Sequence, residues 1–126
     1  MRAIDTNVLV LLLVQDDAKQ VAAAKAFIQR GAWVSHVVLC ETAWVLASVY
    51  SVDAKRLAGV IGGLLEHESL TIENRDTVAA ALVHFRKRPA LGFSDCLIYE
   101  SALASGHRPM GTFDRALAKL EHAEKL

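Results

Sequence analysis

The sequence has no excess of charge of either sign. Its 126 residues include 14 Lys and Arg against 14 Asp and Glu, so the formal net charge is +0 at pH 7. A chain without a net basic charge lacks the whole-surface field that attracts nucleic acid. Any nucleic-acid binding therefore needs a local basic patch, a metal ion or a partner subunit.

Cysteines and long apolar runs are also scarce. The two cysteines, Cys40 and Cys96, are far apart and form neither a CxxC pair nor a zinc-type spacing. We interpret them as buried free thiols of a protein from a reducing compartment. The apolar run 8–14 is too short to cross a bilayer, and Asp5 interrupts the chain just before it. The sequence therefore predicts a soluble, cytoplasmic protein with no targeting segment and no membrane contact.

Apolar residues, in contrast, are plentiful enough to build a core. The composition is 53% hydrophobic and 22% charged, which argues against disorder. No linker, repeat or low-complexity segment divides the chain. The length and composition predict a single domain that covers residues 1–126.

The order of apolar segments and turn signals predicts alternating strands and helices. We predict strands at 2–4, 32–35, 69–73 and 109–111. Helices are predicted at 17–29, 37–50, 53–67, 76–88, 94–106 and 115–121, and a short one after the N-cap residues Thr6 and Asn7. Asp17, Asp53, Asp76 and Ser94 are the predicted start or cap residues of later helices. This order predicts an α/β fold, a three-layer α/β/α sandwich with a mainly parallel central sheet.

Four carboxylates lie beside apolar segments with few local cations. Neither 31–54 nor 89–107 contains a Lys or Arg, so Glu41 and Asp95 have no helical partner three or four residues away. Asp5 and Asp114 each follow a predicted strand. Burial of an unpaired carboxylate costs roughly several kcal/mol, so a cation or hydrogen-bond donors must compensate.

The positions of these acids predict that they meet. Parallel strands bring their carboxyl ends to one edge, where open α/β folds bind ligands. Asp5 and Asp114 lie at such ends, and Glu41 and Asp95 lie near helix starts. Alone, Asp95 could be an ordinary helix-start residue, Asp114 an ordinary turn acid, and Glu41 could reach solvent through a gap in the packing. Asp5 is harder to dismiss because it follows a core strand, and a shared edge favours a joint role. Oxygen ligands without nearby His or Cys suit Mg²⁺ or Mn²⁺. The polar residues beside the acids, Thr6, Asn7, Ser94 and Thr112, would orient them or a bound water.

Four stretches carry a further pattern: DTNVLV at the start, SHVVLCETAWVL, GFSDCLIYESALASG and MGTFDRAL near the end. Together they resemble a PIN domain, and more narrowly the VapC toxins of type II toxin–antitoxin pairs. The resemblance covers almost the whole chain, in order. It implies a Mg²⁺- or Mn²⁺-dependent endoribonuclease whose four acids map onto Asp5, Glu41, Asp95 and Asp114. It also implies a homodimer and a cognate antitoxin protein.

Metal-assisted hydrolysis of an RNA phosphodiester is the mechanism that this pattern favours. Asp5 and Asp95 are predicted to bind the principal ion with Glu41 alongside, and Asp114 to bind a second ion or hold a bound water. The predicted RNA contacts are Arg86, Lys87, Arg88, Arg108 and Arg115, although a solvated helix end would also favour the first three. Trp33 and Trp44 have the spacing of core or interface residues, with base stacking as the lesser alternative.

Other functions stay open on the sequence alone. The chain could be a catalytically inactive PIN-fold module that only binds RNA or a protein partner. A phosphotransferase of the haloacid-dehalogenase type also places an Asp after its first strand, but its second Asp is replaced here by Asn7. A receiver domain needs a late Lys in its site, and no Lys lies between Lys87 and Lys119.

Overall fold

The computed structural model describes all 126 residues as alternating short strands and helices. In chain order the elements are β1 (Arg2–Ala3), α1 (Thr6–Val14), α2 (Ala18–Ile28), β2 (Ala32–Val34), α3 (His36–Ser48), α4 (Ala54–Leu65), β3 (Leu70–Ile72), α5 (Arg75–Lys87), α6 (Phe93–Ala104), β4 (Met110–Thr112) and β5 (Ala123–Lys125). Short 3₁₀ turns occupy Pro89–Leu91 and Leu117–Lys119. The predicted α/β/α fold class is confirmed.

All strand pairs are parallel, and they form two sheets. The first has the order β1-β2-β3, with Ala3 opposite Trp33 and Val34 opposite Ile72. The second pairs β4 with β5, with Met110 opposite Ala123. Because every pair is parallel, the loops that follow β1 and β2 leave the first sheet at the same edge.

Most helices begin where their sequences predict, and the caps show why. The side chains of Asp17 and Asp53 accept hydrogen bonds from backbone N–H groups three residues on, at 3.1 and 2.8 Å. These bonds satisfy donors that a helix start leaves free. For α1, however, the cap is Asp5, and the predicted cap residues Thr6 and Asn7 already lie inside the helix.

Two predicted caps are wrong. Helix α5 begins at Arg75 after Asn74, so Asp76 lies in its first turn instead of capping it. Helix α6 begins at Phe93 after Gly92, which has a φ of +76° and offers no side chain to cap the helix. Ser94 therefore lies within α6, and its hydroxyl is free to bond elsewhere.

One contiguous core of 25 buried residues connects the first sheet to the helices. Strands β2 and β3 bury alternate residues, so Ala32, Val34 and Leu70 point into this core while Trp33 stays 38% exposed. Helix α6 contributes four buried side chains, Phe93, Cys96, Leu97 and Tyr99. This packing fixes the helix that carries Asp95.

The C-terminal segment differs from the prediction. The predicted helix at 115–121 is wrong: only the 3₁₀ turn Leu117–Lys119 forms there. Strand β5 at Ala123–Lys125 was not predicted, because its sequence AEK has none of the β-branched or aromatic residues typical of strands. Its pairing with β4 comes from tertiary context.

None of the helices has the length and apolar character that a bilayer crossing demands.

Candidate active site

Asp5 lies at the junction between β1 and α1. Its backbone is extended, and its Oδ1 accepts a 3.0 Å hydrogen bond from the N–H of Val8, which caps α1. The side chain is exposed, and its second oxygen has no hydrogen-bond partner. Asp5 is therefore tolerated in the opening apolar stretch because one of its carboxylate oxygens caps α1. The other oxygen stays free for a ligand.

Glu41 lies in α3, and a side chain of α1 holds it in place. The hydroxyl of Thr6 donates a 2.9 Å hydrogen bond to Glu41 Oε1, although the two residues are 35 apart in sequence. Glu41 is exposed, so its second oxygen faces solvent. Thr6 therefore has the orienting contact that the sequence predicts for it, and this contact joins the first two acids' elements.

Asp95 lies in the first turn of α6 and is half-buried, with no hydrogen bond to its side chain. Burial raises the pKa of this carboxyl above its ordinary value, and the charge of Asp114 adds to the rise. The electrostatic effect places Asp114 close enough to oppose ionisation of Asp95. Two carboxylates that repel each other in this way favour a nearby cation.

Asp114 follows β4 in an exposed loop. Its Oδ1 accepts hydrogen bonds from the N–H groups of Ala116 and Leu117 at 2.8 and 3.1 Å. Its own N–H donates to the hydroxyl of Thr112 at 3.0 Å. Thr112 therefore fixes the backbone of the acid, and the second oxygen of Asp114 has no partner.

The remaining polar residue on α6 connects the acids' helices. The hydroxyl of Ser94 donates to the carbonyl oxygen of Cys40 at 3.4 Å, which ties the start of α6 to α3 next to Glu41. Asn7 is exposed and its side chain has no hydrogen bond, so no orienting contact of Asn7 is present.

These contacts bring the four acids to one region but not into one cluster. The hydrogen bond of Thr6 joins α1 to Glu41, and that of Ser94 joins α6 to α3. The charge of Asp114 contributes to the raised pKa of Asp95. No three His, Cys, Asp or Glu side chains lie close enough together to hold one metal ion. The donor chemistry nevertheless fits a hard divalent ion, because Asp5, Glu41 and Asp114 each keep one carboxylate oxygen free of hydrogen bonds.

The predicted RNA-binding cations fall into two groups. Arg86 lies against α4, where its Nη2 donates to the carbonyl oxygen of Ala58 at 3.5 Å. Lys87, Arg88, Arg108 and Arg115 are exposed and form no ion pair. The latter group is thus free to meet a polyanion.

Both cysteines are free thiols, as predicted, but only Cys96 is buried; Cys40 is partly exposed. Burial raises the pKa of Cys96 to about 11, and the charges of Asp95 and Glu100 add to this. Burial also raises the pKa of Cys40; hydrogen bonding to Ser94 lowers it, and the charge of Asp95 raises it further. Both thiols therefore stay protonated at neutral pH and are poor nucleophiles.

An aromatic cavity beside Asp95 was missed by the sequence reasoning. Its volume is about 410 Å³, and its lining includes Trp44, Phe85, Phe93, Ser94 and Asp95. Trp44 is 66% exposed, so the core alternative of its predicted core or interface role is wrong, and the interface alternative stays a prediction. The only sequence signal for this cavity was the position of Trp44 three residues after Glu41, which places the two side chains on one helix face.

Comparison with known proteins gives one family. No curated protein and no solved structure matches the chain. The model of the PIN domain family matches residues 3–123, nearly the whole sequence, and the chain therefore belongs to the PIN domain family.

Proposed function

We propose that the chain is a Mg²⁺- or Mn²⁺-dependent endoribonuclease and the toxin of a VapBC-type toxin–antitoxin pair. PIN domains are generally nucleases, PIN nucleases bind RNA, and they generally use divalent metals. The observation that carries the proposal for this chain is the pair of hydrogen bonds, Thr6 to Glu41 and Ser94 to Cys40, that joins the elements carrying Asp5, Glu41 and Asp95. Carboxylates brought to one region in this way favour the binding of a cation.

Each acid has a distinct role in this proposal. Asp5 and Asp95 would hold the principal ion, with Glu41 alongside, which requires these three side chains to move closer together than they lie in the structure. Asp114 would hold a second ion or orient a bound water. A divalent ion in such a site polarises the phosphate and lowers the pKa of water. Thr6 fixes Glu41 through its hydroxyl, and Thr112 fixes the backbone of Asp114.

An apolar groove beside Asp5 supports the antitoxin part of the proposal. The groove has a volume of about 590 Å³ and runs between β1, α1 and α2, lined by residues that include Ile4, Leu11 and Phe27. Its polar lining residues are Asp5, Asn7 and Gln20. An apolar segment of a partner protein could lie there and reach the acids, which would block RNA.

A homodimer is supported by exposed apolar side chains of α3 and its end. Val37, Val49 and Tyr50 are 68%, 63% and 42% exposed. Exposed apolar side chains of this size are the surface that a subunit interface would cover.

A second function, a catalytically inactive module that binds RNA or protein, is favoured by one observation. No three potential ligands lie within reach of one ion. A binding module would need no such cluster.

RNA cleavage by the Asp5→Asn variant tests the proposed nuclease function. Asn caps helices as well as Asp does, so α1 should stay folded while the metal loses a charged ligand. We expect RNA cleavage in Mg²⁺ or Mn²⁺ to fall by about 100-fold or more, as loss of a key electrostatic group does in other enzymes. EDTA should abolish the cleavage by the parent protein.

The control is Asp17→Asn, which makes the same change at the cap of α2. Equal cleavage by the parent and Asp5→Asn would contradict the assignment of Asp5. Cleavage that is absent from the purified parent protein in both ions would favour the binding module. For the toxin role, expression of the parent should arrest bacterial growth and expression of Asp5→Asn should not.

A further inference from the structure

The aromatic cavity beside Asp95 adjoins the candidate active site without containing its other acids. We propose that it binds the base of the nucleotide next to the cut phosphodiester, and that Trp44 stacks on the face of that base. This inference rests on the proposed nuclease function, since it names the part of the RNA that is held beside the acids.

Trp44 has the position and exposure that stacking requires. It is 66% exposed although Trp side chains are usually well buried. It lies three residues after Glu41 in α3, so the indole and the carboxylate share one helix face. A base that stacks on the indole would therefore place its own backbone near the acids. Aromatic stacking holds single-stranded RNA bases in many proteins.

The floor of the cavity is apolar and fixed. Phe85 and Phe93 are only 3% and 2% exposed, and their rings meet edge to face with centroids 6.1 Å apart. Pro89 adds a further rigid wall. The volume of about 410 Å³ lies within the range of about 300–1,000 Å³ that is common for small-ligand pockets.

Free cations next in sequence to lining residues favour RNA over a protein partner. Lys87 and Arg88 lie in sequence between the lining residues Phe85 and Pro89, and both are exposed and form no ion pair. Asp95 is itself a lining residue. A single-stranded polyanion could thus place one phosphate at the cations and the next at the acids with their metal, while its base enters the cavity.

Tryptophan fluorescence gives a direct test, because the chain has only two Trp residues. The Trp33→Phe variant leaves Trp44 as the reporter, and the Trp44→Phe variant leaves Trp33, which does not line the cavity. Both are prepared in the Asp5→Asn background and titrated with oligouridylate of ten nucleotides in Mg²⁺. We expect the emission of Trp44 to be quenched and that of Trp33 to be unchanged.

An abasic ten-unit sugar–phosphate oligomer is the matched control for charge. It carries the same phosphates without bases, so it should not quench Trp44. Quenching of equal size by both oligomers would overturn the inference, since it would show that phosphate alone produces the signal.

Substitution of Trp44 separates stacking from a merely structural role. In the otherwise native chain we expect Trp44→Ala to raise KM for RNA by about tenfold with a smaller change in kcat, and Trp44→Phe to restore most of the loss. Unchanged KM in Trp44→Ala would overturn the inference and leave the nuclease proposal standing. Conversely, base-dependent quenching in a protein that cuts no RNA would support the cavity and contradict the nuclease proposal.

A second copy of the chain is the alternative occupant of this surface. Sedimentation of Trp44→Ala should show the same oligomeric state as the parent. A shift to a smaller species, together with no base-dependent quenching, would assign Trp44 to a dimer interface and overturn the inference.

Discussion

Helix α6 and the loop after β4 bring Asp95 and Asp114 to the site by different means. Asp95 stands on a 12-residue helix with four buried side chains, is half-buried itself and has no hydrogen-bond partner. Asp114 stands in an exposed loop, and two backbone N–H groups donate to its Oδ1. The helix therefore supplies a fixed position at an electrostatic cost, while the loop supplies hydrogen bonds at little cost.

This difference separates the two acids in function. Partial burial weakens hydration of the Asp95 carboxylate, and the pKa rises accordingly. A poorly hydrated carboxylate gains more from a cation than a well-hydrated one. We therefore expect Asp95 to contribute more to ion binding than Asp114.

Charge removal at each acid is the most severe test of the comparison. We expect Asp95→Asn to lower Mg²⁺-dependent RNA cleavage by about 100-fold or more and Asp114→Asn by about tenfold. The smaller loss follows because the amide oxygen of Asn can still accept both N–H bonds at Asp114. Initial rates on a labelled single-stranded RNA measure both effects.

The matched control is Asp16→Asn, which removes a charge from an exposed residue whose side chain makes no hydrogen bond. Its rate should equal that of the parent. If Asp95→Asn and Asp114→Asn lose the same activity, burial does not distinguish the two acids.

Gly92 tests whether α6 depends on its unusual start. A side chain at φ +76° is strained although no atom lies within 4 Å of the added Cβ. We expect Gly92→Ala to lower the free energy of unfolding by about 2 kcal/mol. Urea unfolding followed by circular dichroism measures this.

Gly63→Ala provides the contrast, since Gly63 lies inside α4 with ordinary helical geometry and open space around it. It should raise the free energy of unfolding by about 0.5–1 kcal/mol through helix propensity. Equal effects of the two substitutions would show that the backbone at Gly92 is not strained.

The smallest expected effect concerns stability without metal. The raised pKa of Asp95 means that the folded state binds a proton more readily than the unfolded state. This group therefore destabilises the fold progressively as pH rises above its ordinary pKa of 3.8, and fully at neutral pH.

The Asp95→Asn variant escapes this penalty. In EDTA at pH 7 we expect its Tm to exceed that of the parent by about 2 °C, because partial burial of the Asp95 charge and, to a smaller extent, its repulsion by Asp114 together cost about a few tenths of a kcal/mol. The difference should shrink as pH falls towards 4. A lower Tm for the variant at pH 7 would mean that the Asp95 carboxylate stabilises the metal-free fold.

Local signals in the sequence were sufficient for the fold class and for most of the helices. Asp17 and Asp53 cap helices as predicted because a cap is a contact over three residues. The two parallel strand pairs around β2 follow from the alternation of strands and helices.

Contacts between distant residues were not accessible in the same way. The bond from Thr6 to Glu41 joins residues 35 apart, and that from Ser94 to Cys40 joins residues 54 apart. The cavity around Trp44 needs α3, α5 and α6 to be packed before it exists. Strand β5 likewise forms only by pairing with β4, because its sequence AEK alone favours no strand. The grouping of the acids into a working metal site stays a prediction.

The separation of the strands into two sheets has a mechanical consequence. Asp5 follows a strand of one sheet and Asp114 a strand of the other, and no ladder hydrogen bond joins the two sheets. The two sheets are held together instead by side chains, such as Leu117 and Leu120 in the shared core and the hydroxyl of Tyr99, which accepts a 3.1 Å hydrogen bond from the N–H of His122 just before β5. The spacing of the two carboxylates therefore depends on side-chain packing and not on strand pairing.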